Sequence, residues 1–239
     1  MDPKTGARIL QGKTKDVYEV EGSAQLLLHF RDDVMAFRDR ERAIVPGKGE
    51  WGAGISVALF DRLGEQGIPH HFVRKVGEAR LLVERLKIFP FFIVARNLAA
   101  GSLAKRFGLE EGSPLASTIV EFYPKDPAIG KQWVNASHIR AFGWADDVQL
   151  RTIRTLTDKI NETLVPYLSE EKGLVLVDFR LEFGLKGDQI MLANELSPDN
   201  LRLWDMATAE TLDGDRFRQG VDQVKAAYYE IYRRICLNE

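Results

Sequence analysis

Apolar and polar positions alternate along the chain in two periods, which predict strands at both ends of the first third and helices between and after them. Val17, Tyr18 and Val20, then Gln25–Phe30 beyond a break at Gly22 and Ser23, read as a hairpin whose first turn carries Gly12, Lys13 and Lys15. Residues 31–50 are polar, hold Pro46, Gly47 and Gly49, and read as a long loop. Ile55, Leu59 and Leu63 fall at helical spacing, which predicts a helix over 51–66 closed by Gly67. Strands are expected at 70–76 and 80–84. The apolar run Ile88–Ala95 reads as a buried strand ending on Arg96 and Asn97, followed by a tight loop of small residues, Ala99, Ala100, Gly101 and Ser102. Residues 119–135 mix strand and loop, with Glu121, Lys125 and Asp126 exposed, and His138 and Trp144 fall in an irregular stretch. Leu150, Ile153, Leu156, Ile160 and Leu164 predict a long amphipathic helix over 146–172, kinked or ended by Pro166. A last helix over 215–237 buries Phe217, Val221, Val224, Tyr228, Ile231 and Ile235.

The chain is organised around residues 173–205. Apolar residues at both parities from Leu174 to Phe183 indicate a strand buried on both faces, Gly184–Asp188 a turn, and Gln189–Ala193 a returning strand. A buried strand excludes charge unless something holds it. This one carries Asp178, Arg180 and Glu182 two apart, so the three share one face. Asn194, Glu195, Ser197, Asp199 and Arg202 follow. Carboxylates offer the hard oxygens that a magnesium ion needs, and cations beside them suit phosphates. A solvated amphipathic hairpin is the plainer reading of the same pattern. Likewise, Lys13 and Lys15 share one parity and suit a nucleotide's phosphates, or are two solvated lysines; no P-loop pattern follows. Arg96 beside small residues suits an anion clamp, or is a surface arginine before a turn.

Composition narrows the class. The chain has 239 residues, 45% apolar and 28% charged, with a net charge of −2, enough for a sizeable core and without a global electrostatic case for nucleic acid or membrane binding. Lone Cys236 excludes an intramolecular disulfide framework and a cysteine-based zinc site. The four histidines, at 29, 70, 71 and 138, lack metal-like spacing among themselves. No apolar run approaches the ~18 residues of a membrane-spanning helix, and the first residues lack an apolar signal core. A cytoplasmic enzyme or binding protein is expected, and the apolar C-terminal helix leaves room for a homo-oligomer.

Segments in a fixed order carry a resemblance: GKTKDVYE at 12–19, LGEQGIPHHF at 63–72, ARNLAAGSLAKRFGLEEG at 95–112, LVDFRLEFG at 176–184, ELSPDNLRLWD at 195–205 and LDGDRFRQG at 212–220. Together they resemble the phosphoribosylaminoimidazole-succinocarboxamide synthase (SAICAR synthetase) family over nearly the whole chain. The resemblance implies an α+β fold of two lobes, a small antiparallel β lobe over 1–85 and a larger α/β ATP-binding lobe over 86–239. It implies an ATP- and Mg2+-dependent ligase that joins a carboxylated aminoimidazole-type ribotide to an amino acid amine, aspartate in the family, through an acyl phosphate. By the same resemblance Asp178, Arg180 and Glu182 are catalytic. Lys13, Lys15, Glu182 and Asn194 bind ATP, Arg96, Ser102, Asp199 and Arg202 hold the ribotide, and Glu182 and Glu195 hold the metal.

The chain also departs from the family's pattern. Asn194 stands where the family has Asp, and Arg180 where it has Lys. Trp51, Gly52 and Ala53 replace a Val-Asn-Asn segment, an acidic loop position is replaced near Arg38, and Gly130, Lys131 and Gln132 replace a His-Asp-Pro. These changes are expected around the metal and the amine acceptor. They leave open a specialised paralogue with another amine donor or a ribotide analogue, or a non-catalytic nucleotide-binding relative.

Overall fold

The computed structural model describes residues 3–35, 42–130, 132–212 and 221–237. Strands β1 (Thr5–Gln11), β2 (Lys15–Val20), β3 (Leu26–Phe30), β6 (Phe72–Gly77) and β7 (Arg80–Val83) form a five-stranded sheet in the order β1-β2-β3-β7-β6, every pairing antiparallel. The polar stretch after β3 is not all loop. β4 (Asp33–Met35) pairs with β5 (Arg42–Ile44), and helix α1 (Lys48–Glu65) starts three residues before the expected boundary, after Gly47 at φ 91°. Its far end is the expected one, with Gly67 at φ 67°.

The second sheet is built on β11 (Leu174–Lys186). One edge of this long strand pairs with β9 (Phe91–Leu98) and, further along, β8 (Lys87–Ile88). The other pairs with β13 (Leu201–Asp205) and β12 (Gln189–Ala193). β10 (Pro114–Pro124) flanks β9. The predicted turn at 184–188 is shorter: β11 runs through Gly184 to Lys186, and Gly187, at φ 59°, turns the chain with Asp188. Gly184 belongs in the strand because β8 crosses there, and an added Cβ would meet Leu86 at 2.8 Å. Arg96 and Asn97 close β9 as expected, with Leu98 its last residue.

The two-sided apolar pattern of β11 has a specific cause. Leu176 pairs with Leu203 and Asp178 with Arg202, so Val177 is an extra residue, a β-bulge that switches the parity of the strand. Leu174 and Leu176 therefore join Phe179, Leu181 and Phe183 in one core. Asp178, Arg180 and Glu182 line the opposite face.

That core is covered by α1 and by α4 (Asp147–Pro166), which is capped by Asp146 and Gln149 and continues as a π turn, Tyr167–Glu171, rather than stopping at Pro166. α1 also packs on the first sheet through Ala53, which meets the Val17, Leu28, Phe30, Leu81 and Val83 cluster. Two short helices were not anticipated. α2 (Gly101–Phe107) takes in part of the small-residue loop, and α3 (Ala136–Ala141) is closed by a capping box in which Asn135 N–H donates to His138 Nδ1 at 3.2 Å. α5 (Val221–Tyr232) ends in a π turn, Arg233–Leu237; Phe217 lies outside the described residues. Cys236 packs half-buried against the main core, and burial pushes its thiol up to about 11, which marks it as inert.

Candidate active site

The polar face of the second sheet is arranged in rows across the strands. In the first row, Ile119, Arg96, Asp178 and Arg202 stand opposite one another. Arg96 is 5% exposed. Its Nε donates to Glu121 at 2.6 Å, its Nη1 to Asp178 at 3.0 Å and its Nη2 to Ser102 at 3.2 Å and Tyr123 at 3.4 Å. Arg202 reaches Asp178 from the other side at 3.3 Å, passing Gly101 so closely that a Cβ there would lie 2.6 Å from its Nη1. Gly101, at φ 54°, is thus required both by backbone conformation and by this approach. Arg96, Ser102 and Arg202 come together as expected, and Asp178 lies between the two guanidiniums.

The next row sets Glu121, Val94 and Arg180 side by side, and a third sets Tyr123 beside Phe92. Arg180 Nη2 donates to Glu182 Oε1 at 2.6 Å, and Asn194 Nδ2 donates to the same oxygen at 3.2 Å. Lys125 Nζ bonds the other oxygen of Glu182. These cations hold the buried Glu182 carboxyl below its ordinary pKa against desolvation, which works the other way. Glu121 and Lys125 were expected to be merely exposed. Glu121 is covered by Arg96, Arg106 and Tyr123, and Lys125 is exposed as expected but also bonds Glu182.

Across from Glu182, Lys15 Nζ contacts both Glu195 and Asn194. Burial lowers its pKa to about 7, against the pull of Glu182 and Asp199. Lys13 does not share its position. β2 begins only at Lys15, so strand parity does not extend back to Lys13, which sits exposed in the turn. That turn is close-packed: Gly12 N–H donates to Lys15 O at 2.8 Å, where a Cβ would intrude. Arg31 clamps it, bonding the Gly12 and Lys13 carbonyls at 2.9 Å each and Asp16 at 2.6 Å.

Residues 194–200 bridge β12 and β13 and bring Asn194, Glu195 and Asp199 to the site. Three tethers fix them. Ser56 Oγ donates to Leu196 O at 3.0 Å, Asn200 Nδ2 to Glu195 O at 3.3 Å, and His71 Nε2 bonds Asn194 O at 2.8 Å. A carbonyl only accepts, so the His71 proton sits on Nε2, and burial pulls its pKa down to about 4. Asn194 holds φ 68°, a conformation Asn tolerates better than most residues. Asp199 is not in the Arg96 cluster. Its Oδ2 accepts from Lys48 at 2.6 Å and its Oδ1 from Tyr228 at 2.5 Å.

Lys48, His71, Arg31 and Tyr228 were missed by sequence reasoning. The one signal for Lys48 was its place in a glycine-flanked turn. The Trp51, Gly52 and Ala53 segment was expected beside the amine acceptor. It lies in the first turns of α1, where Trp51 packs on Tyr229 at 5.4 Å and Ala53 is core, while Gly52 approaches Phe30 and Ser197. Arg38 and Lys131 lie outside the described residues.

A buried lysine facing carboxylates on one side, with paired guanidiniums on the other, suits two polyanions brought side by side. The family model described as SAICAR synthetase matches residues 8–235. The phosphoribosylaminoimidazole-succinocarboxamide synthase of Brevibacillus brevis is 44% identical over 95% of both chains, and that of Clostridium kluyveri 42% identical over 98% of this chain and 100% of its own. Among solved structures, the Ehrlichia chaffeensis synthase superposes with a TM-score of 0.90 at 37% identity, covering 96% of this chain and 98% of its own. A SAICAR synthetase in complex with ADP superposes at 0.89 and 41%, covering 95% and 96%. The chain belongs to the SAICAR synthetase family. It is an ATP-dependent carboxylate–amine ligase with the α+β fold of that family. No helix among the described residues is long and apolar enough to cross a membrane.

Proposed function

We propose that this enzyme joins a carboxylated aminoimidazole ribotide to the amine of aspartate in the cytoplasm, with ATP and Mg2+. The observation that carries this reading is the single face of β11 on which Asp178, between Arg96 and Arg202, and Glu182, beside Lys15 and Lys125, stand four residues apart, roughly 13 Å along a strand. That spacing suits a ribotide at one end and a triphosphate at the other.

Glu182 and Glu195 offer buried carboxylate oxygens joined through Asn194 and Lys15: the Asn194 amide nitrogen donates to Glu182, and its oxygen accepts from Lys15, which also contacts Glu195. Magnesium takes one or two protein carboxylates and completes its shell with phosphates and water, so the donor set fits. Bound there, the ion would neutralise charge on the nucleotide's phosphates. Lys15 and Lys125 add positive charge on the same side, with Lys13 at the mouth. Arg96, Ser102 and Arg202 hold the ribotide's anionic end, and Asp199 meets its hydroxyls. Chemistry then needs little beyond positioning. The ribotide carboxylate attacks the γ-phosphorus and ADP leaves. The amine nitrogen attacks the acyl carbon, the acyl C–O bond breaks, and phosphate departs as the nitrogen gives up a proton. The nucleotide would lie between a first lobe over 1–85 and a second over 86–239, with α1 packing on both.

ADP release measured with ribotide and a panel of amino acids tests the reading: aspartate should support turnover and omission of either substrate should abolish it. Faster turnover with another amine would replace aspartate, a reading favoured by Asn194 and Arg180. ATP binding without ADP formation would make the chain a non-catalytic relative.

A further inference from the structure

Between the two charged ends of the site stands a stacked column tied to both of them. The Arg180 guanidinium carbon lies 3.8 Å from the centroid of the Phe92 ring. Phe92 is stacked in turn on Tyr123, with centroids 5.3 Å apart and planes 13° from parallel. Tyr123 is fixed by its hydroxyl, which donates to Glu121 at 2.8 Å and accepts from Arg96 at 3.4 Å. A planar cation face-on to an aromatic ring loses most of its freedom to rotate, which a lysine in its place would keep.

So held, Arg180 uses Nη2 for Glu182, while its Nε is buried without a partner among the described residues. Its side chain is 39% exposed, so part of it meets solvent. Arg180 lies on β11 midway between Asp178 and Glu182. In the reading above this is where ribotide carboxylate and γ-phosphate meet, and so where the amine must arrive. A planar fork with spare donors at that point matches a carboxylate in two-point fashion.

We propose that Arg180 receives a carboxylate of the amino-acid co-substrate, and that Phe92 and Tyr123 are the positioning residues that set its orientation and hence selectivity for a carboxylate-bearing amine. The inference rests on the ligase reading, and the test separates the two. Hydroxylamine is a nucleophile without a carboxylate; it can take the acyl group from the acyl phosphate as a hydroxamate, releasing phosphate.

The enzyme is assayed for ADP release with ATP, ribotide and either aspartate or hydroxylamine, as wild type and as Phe92→Leu, Phe92→Tyr and Arg180→Lys. Phe92→Leu should raise the KM for aspartate roughly 3- to 30-fold, the range of a cation–π contact. It should leave the hydroxylamine reaction and the KM for ATP within about two-fold, and Phe92→Tyr, which keeps a ring, should restore the aspartate KM. Combined with Arg180→Lys, Phe92→Leu should add little, because the stack it removes is already lost. Equal loss of both nucleophiles in Phe92→Leu, or the same factor from Phe92→Leu in both Arg180 and Lys backgrounds, would overturn the proposal. Absence of ADP release from wild type with either nucleophile would instead overturn the ligase reading.

Discussion

The two ends of the site are charged in opposite senses of completeness. At the Arg96 end, nearly every donor is already spent on protein: two carboxylates, a serine and a tyrosine surround one buried guanidinium, and Arg202 shares Asp178 with it. At the Lys15 end a lysine is buried among groups that do not fully offset its desolvation, so its pKa falls to about 7, with Arg180 and Lys125 adding to the positive charge. The first end is built before any ligand arrives; the second is short of negative charge, which a triphosphate brings.

Replacing one cation at each end gives the largest expected effect. Arg96→Met takes a buried guanidinium from Glu121 and Asp178, which keep only Arg106, Tyr123 and Arg202, and breaking a buried pair from one side costs about 3–5 kcal/mol. Chemical denaturation should show that loss directly. Lys15→Met also leaves the buried Glu195 without its cation, but it removes an ammonium whose own burial was opposed, so its stability loss should be smaller than that of Arg96→Met. Activity should instead drop about 10²- to 10³-fold, as when one preorganised electrostatic group is lost. If Lys15→Met unfolds as readily as Arg96→Met, the division between a finished and an unfinished end is mistaken.

His71 gives the next effect, and it is read by pH. Its folded-state pKa of about 4 lies below the ordinary 6.5 because burial disfavours the imidazolium. Between those values the unfolded chain binds the extra proton, so His71's contribution is whole above pH 6.5 and drains as pH falls towards 4. The full difference is about 3 kcal/mol. His71→Gln cannot titrate, yet its amide can still donate to Asn194 O. Thermal midpoints of wild type and variant, followed from pH 7.5 to 4.5, should converge as the pH drops. Parallel curves would mean that the imidazole does not stay neutral in the fold.

Much of the Arg96 end was legible in the chain, and less of the other. Asp178, Arg180 and Glu182 announce themselves because a buried strand tolerates charge at period two only for a reason, and the small residues after Arg96 mark a close approach that Gly101 and Arg202 then make. The bulge at Val177 was invisible. One inserted residue leaves apolar side chains at both parities, which is also how a strand covered on both faces reads. Lys13 and Lys15 look equivalent by parity until the turn places them in different surroundings. Lys48, His71 and Tyr228 act through partners 123 to 151 residues away or, for Tyr228, through a helix that meets the site only in three dimensions. No local pattern encodes such contacts.

Tyr228 gives the smallest expected effect and the sharpest reading of how the C-terminal helix serves the site. Its hydroxyl donates to one oxygen of Asp199 while Lys48, 5.0 Å from the centroid of the same ring, holds the other. Tyr228→Phe keeps the ring, and with it the packing against Val34, Val45 and Val224, and removes only the hydroxyl. A hydrogen bond to a charged group is worth about 1.5–3 kcal/mol, but Lys48 still neutralises the carboxylate, so a loss near the lower bound is expected. If Asp199 contacts the ribotide, its freed oxygen should raise the ribotide KM roughly 5- to 10-fold, with kcat and the KM for ATP little changed. Lys48→Met should cost more on both counts, because it leaves the carboxylate with the tyrosine hydroxyl and no cation. Should Tyr228→Phe alter ATP and ribotide KM alike, Asp199 belongs to the Lys15 end, whose charge it already feels, and the boundary between the two ends must be redrawn through residues 194–200.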